Sequence, residues 1–118
     1  MTRYLISFDD GWMTFPREDL PAVAEAALAV AHEAQDAGVW VYGAGLERQR
    51  ASIVTTDGTV TDGPYPEAIG GLTVIDVASR EEALEWAAKI AVACRCAQEV
   101  RAMGPDPELD EMLRRAHR

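Results

Sequence analysis

The sequence predicts one α+β domain: a split β-α-β order with an antiparallel sheet and an inserted hairpin. Three observations predict it. Residues 3–8 alternate as a strand, residues 17–37 and 79–91 carry apolar side chains at helical spacing, and Leu72-Thr73-Val74-Ile75-Asp76-Val77 is too apolar for a half-exposed edge.

In the opening strand, Tyr4, Ile6 and Phe8 fall on one face and Arg3, Leu5, Ser7 and Asp9 on the other, and Asp9-Asp10-Gly11 ends it. The first helix runs from about Arg17 to Ala37 on the stripe Leu20, Val23, Ala24, Ala27, Ala31 and Ala34. Pro21 is tolerated in its first turn and Gly38 stops it. Val39 to Gly43 and Ala51 to Thr56 are expected as two strands of a hairpin-like pair. Asp57-Gly58 then turns the chain into a short returning strand, Thr59-Val60-Thr61. Leu72 to Val77 is the central strand. Ser79 and Glu82 form a capping box for a second helix with stripe Ala83, Trp86, Ala87, Ile90 and Ala91. Cys96 to Met103 is the last strand. Gly104-Pro105-Asp106-Pro107 closes a domain spanning 1–104, and residues 105–118 form a short helical tail with Leu109, Met112 and Leu113.

This order is that of a ferredoxin-like unit. Two helices cover only one face of such a sheet, so the other is expected to meet a second subunit, giving a homodimer with facing sheets.

Composition narrows the function. With 11 basic and 20 acidic residues the chain carries a net charge of −9, which repels phosphate backbones and anionic membranes, so no direct nucleic-acid partner and no membrane association are expected. No apolar run is long enough for a membrane span, and Met1-Thr2-Arg3-Tyr4 does not open a secretory signal; the expectation is a cytoplasmic protein. Cys94 and Cys96, spaced to share one strand face, fit neither a zinc site nor a Cys-x-x-C motif and are read as reduced thiols. Gly43-Ala44-Gly45 lacks the context of a dinucleotide loop, and no Walker-type or nucleophile-elbow motif occurs, so no cofactor is expected.

The run Asp62-Gly63-Pro64-Tyr65-Pro66-Glu67-Ala68-Ile69-Gly70-Gly71, followed by the apolar strand and by Ser79-Arg80-Glu81-Glu82-Ala83-Leu84-Glu85-Trp86-Ala87, resembles the DGPF-type branch of the YCII-related proteins. The resemblance implies a dimeric α+β barrel built from ferredoxin-like halves. It also implies kinship with small enzymes in which a His and an Asp act as acid and base, and an association with extracytoplasmic-function sigma factors. The chain departs from the pattern in having Tyr65 for the usual Phe, a shorter connector and no connector lysine.

Asp62, held beside Gly63-Pro64, is the candidate general base or ligand anchor; the alternative is a carboxylate that caps the turn. His32 is a weaker catalytic candidate, because it lies off the apolar stripe beside Glu25 and Asp36; His117 sits at the chain's end. No metal site is expected from Asp9, Asp10 and Asp62 without a second placed histidine. Strand parity puts Ser7, Asp9, Glu99 and Arg101 toward the space between two subunits, where they would bind a ligand, or where Glu99 and Arg101 would simply pair. Tyr65 and Trp12 join them as ligand-binding candidates, with Phe15, Trp40 and Trp86 as further aromatic walls. The leading reading is a homodimer binding a small organic molecule between the sheets, with Asp62 serving proton transfer, isomerisation or elimination. The alternative is a non-catalytic interaction module linked to a sigma factor, its acidic surface meeting a basic partner.

Overall fold

The computed structural model describes residues 1–9, 11–47, 51–62 and 68–116. The elements are β1 (Thr2–Asp9), a 3₁₀ turn (Arg17–Asp19), α1 (Leu20–Asp36), β2 (Trp40–Gly45), β3 (Ser52–Val54), β4 (Val60–Asp62), β5 (Ile69–Val77), α2 (Arg80–Cys94), β6 (Glu99–Ala102) and α3 (Pro107–Ala116). A four-stranded antiparallel sheet has the order β2-β5-β1-β6, and β3 pairs with β4 in a separate two-stranded sheet. This is the ferredoxin-like α+β arrangement with a hairpin inserted between its second and third sheet strands.

The pairing expected between residues 39–43 and 51–56 does not form, whereas the expected return across Asp57-Gly58 does. β2 pairs with β5, Trp40 opposite Ile75, while β3 folds onto β4 across Asp57-Gly58. β5 begins earlier than expected, so Gly70 and Gly71 lie within it, and β6 is shorter, starting at Glu99. The two cysteines do not share a strand: Cys94 closes α2, Arg95 stands in the left-handed region at φ 58°, and Cys96 lies beyond it.

Tyr4, Ile6, Ile75, Val77, Val39, Ala34, Ala83, Ala87, Ile90 and Cys94 form the core between the sheet and the two helices. Pairing of Tyr4 with Ile75, Ile6 with Thr73 and Phe8 with Gly71 puts all of them on the helix-covered face. Ser79 caps α2 by accepting the Glu82 N–H at 3.2 Å, and the Glu82 carboxylate in turn accepts from Ala78 N–H at 3.4 Å. The expected box therefore forms, displaced by one residue on its return arm.

The other face carries Leu5, Leu72 and Val74, each half-buried in the lone chain, and Tyr42, 60 % exposed. At one end of this face lies α3. Asp106 caps it by accepting the Glu108 and Leu109 N–H groups, both at 3.1 Å, and Asp110 pairs with Arg3 on β1. A space of about 530 Å³ between α3 and the sheet is lined by Leu109, Leu113, Val41 and Val74.

In the hairpin turn the Asp57 carboxylate accepts from the Thr55 hydroxyl and, at 2.9 Å, from the Thr59 N–H, while Gly58 supplies φ +86°. The bond from Thr55, followed by those from Thr59, holds the Asp57 carboxyl down from 3.8 to about 2. A depressed acid stabilises its turn above the unfolded value and loses that contribution as pH falls through the folded one. The hairpin is therefore expected to keep its turn at pH 4 and above and to loosen between about pH 4 and pH 2. A carboxyl NMR titration checks this; an Asp57 midpoint at 3.8 would refute it.

Candidate ligand-binding site

A cavity of about 1040 Å³ lies between α1, the segment preceding it and the helix-covered face of the sheet. Its cause is local. Ala24, Ala27 and Ala31 line it from α1, and side chains that small do not span the gap between a helix and a sheet. Leu20, expected on the α1 stripe, and Leu28, which was not, are 53 % and 59 % exposed and line the cavity with Leu46. Trp86, Ile90 and Cys94 of α2 close the far side.

The floor is aromatic and depends on two glycines. A Cβ on Gly71 would lie 2.6 Å from two atoms of the Phe8 ring, and one on Gly43 would lie 2.5 Å from the Trp40 ring. Both distances are below any tolerable contact, so each ring occupies the place of a missing side chain. Phe8 is opposite Gly71 in the β1–β5 register, and Gly43 is opposite Thr73 in β2–β5, so both rings lie on the same face of the sheet.

The described lining is almost wholly apolar. Its polar members are Thr73, Cys94, Gln98 and one charged residue, Arg17. Burial, followed by the neighbouring Cys96, pushes the Cys94 thiol up, so it sits protonated. The Cys96 thiol is also raised, chiefly by burial, and accepts from the Gln98 amide at 3.5 Å. Beside the cavity, the Arg95 guanidinium stacks on Phe15, 5.9 Å from the ring centroid, and pairs with Asp19 at 2.8 Å.

The model of the YCII-related domain matches residues 4–112, nearly the whole chain. The chain belongs to the YCII-related domain family. No curated protein matches it. Within this YCII-related domain, the Gly70-Gly71 pair that carried the resemblance gains a physical meaning, since Gly71 is the seat of the Phe8 ring.

The residues singled out from sequence lie elsewhere in the domain. Asp62 ends β4, is exposed, and accepts the hydroxyl of its cross-strand neighbour Ser52 at 2.8 Å. His32 is exposed on α1, and Trp12, 41 % exposed, lies in the turn after β1, its N–H donating to the Asp9 carbonyl at 3.1 Å. Ser7 is buried, Asp9 is half-buried, and Glu99 and Arg101 form an exposed ion pair at 2.9 Å. Parity puts Ser7, Glu99 and Arg101 together on the open face, as Ser7 pairs with Glu99 and Leu5 with Arg101. None of these seven lines the large cavity, whereas Phe15, Trp40 and Trp86 do. Tyr65, Asp10 and His117 lie outside the described residues. Among the described residues, no three His, Cys, Asp or Glu side chains are grouped to hold a metal.

What sequence reasoning passed over was the cavity itself. Its signals were an α1 stripe made of alanines and glycines at 43 and 71, whose partners are distant in sequence.

Proposed function

We propose that this YCII-related domain works as a homodimer that binds a small, mainly apolar organic molecule in the cavity between α1 and the sheet. The observation that carries the reading is the cavity: about 1040 Å³, bounded by the alanine face of α1 and the rings of Phe8, Trp40 and Trp86. Its volume is that of a site for a drug-sized ligand, and apolar lining with a few polar groups is what such sites share. Among the described lining residues there is no His, Asp, Glu, Lys or Tyr, and the Cys94 thiol is held protonated. The chemistry supported is therefore capture rather than proton transfer. Asp62 lines no part of the cavity and takes no role in this reading.

Dimerisation rests on the open face, where Leu5, Leu72, Val74 and Tyr42 would leave a contiguous apolar surface in water. Facing sheets would bury it.

Titration with N-phenyl-1-naphthylamine, a neutral fluorescent apolar probe, tests the binding. Saturable uptake with quenching of tryptophan emission is expected, since Trp40 and Trp86 both line the site. Uptake that rises linearly without saturation would overturn the reading.

A further inference from the structure

We infer that the cavity selects an apolar monoanion, a carboxylic acid with an aromatic or aliphatic body, and that Arg17 receives its head group; the inference rests on the binding reading above. The chain has 20 acidic residues, yet none of the described residues lining the cavity is acidic. Arg17 is the one charged side chain among them. It has no ion pair with any described residue, whereas Arg3, Arg95, Arg101, Arg114 and Arg115 each have one. Arg80 also lacks one but lines no part of the cavity.

Arg17 is exposed at the cavity's edge, and the local structure leaves it without an ion-pair partner among the described residues. Pro16, at φ −59°, leads into the 3₁₀ turn that starts at Arg17, and Arg95 holds the segment from both sides by stacking on Phe15 and pairing with Asp19. Asp19, the acid two residues along, is thereby engaged elsewhere. A planar guanidinium at the edge of an apolar chamber matches a carboxylate through two parallel N–H donors, while the rings and alanines desolvate the body. A polyanion would place further charges against Leu20, Leu28 and Leu46, and a cation would find no carboxylate among the described lining.

The test is displacement of N-phenyl-1-naphthylamine by decanoate and by 1-decanol, equal in chain length and different in charge. Decanoate is expected to displace the probe at about tenfold lower concentration than 1-decanol, the size of a charged hydrogen bond. Arg17→Gln is expected to bring that ratio close to one, and Arg17→Lys to retain part of it. Equal displacement by acid and alcohol, or a ratio that Arg17→Gln leaves unchanged, would overturn the charge selection while leaving cavity binding in place. Absence of saturable probe uptake in the unmutated protein would remove the binding reading, and this inference with it.

Discussion

Gly71→Val is expected to reduce uptake of N-phenyl-1-naphthylamine by more than tenfold while the protein still folds. The first atom added at Gly71 would fall 2.6 Å from Cε1 and Cζ of Phe8 and 3.3 Å from the Ala44 carbonyl oxygen. The backbone cannot retreat, because β5 is paired on both sides, so the Phe8 ring must lift into the cavity. Gly71 has no positive φ, and valine suits a strand, so backbone strain adds little. Overpacking of this kind costs about 1–3 kcal/mol, which a folded domain can absorb. Phe8→Ala in the Gly71→Val background should restore uptake in part, and the non-additivity of the pair measures their contact. Uptake unchanged in Gly71→Val would mean that the probe binds somewhere else.

Leu5→Glu is expected to turn a dimer into a monomer. Leu5 stands on β1 in the middle of the open face, opposite Val74 on one side and Arg101 on the other. In the lone chain a glutamate there is half in water and beside Arg101, so the fold tolerates it. Between two facing sheets the same carboxylate is buried while Arg101 is already paired with Glu99, so its charge is uncompensated, with a cost of about 3–5 kcal/mol, or more than a hundredfold in dissociation constant. Sedimentation equilibrium decides the matter. A wild-type protein that is already monomeric at micromolar concentration would overturn the dimer.

The parts of the fold that could be read from sequence are those with a local cause. Alternation in Tyr4, Ile6 and Phe8 follows from the strand period, and the Ser79–Glu82 cap from two side chains three residues apart. Strand pairing is not local. β2 and β3 are neighbours along the chain, which favoured joining them, but β2 bonds to β5 because that match buries Trp40 beside Ile75. Cys96 was misplaced for a related reason. Nothing in the residue type announces that Arg95 will adopt φ 58° and end the helix there.

The candidate site was less legible than the fold. Polar residues with chemistry to offer, Asp62 and His32, drew the reading toward positions that prove exposed. A cavity is made by what is absent, and small residues are ordinary in both helices and strands. Gly71 and Gly43 reveal their part only once Phe8 and Trp40 are seen resting on them.

The pairing order also governs how the chain can assemble. β1 precedes every other strand, yet its two partners are β5 and β6, and the residue that pairs with Arg3 follows it by 107 positions. During synthesis, β1 must therefore wait until Val77 has emerged before β5 can pair with it, with Tyr4, Ile6 and Phe8 unpaired. High contact order of this kind slows folding, because long loops are closed before any strand contact repays them. Until β5 and β6 arrive, both edges of the opening strand are open to pairing with another chain.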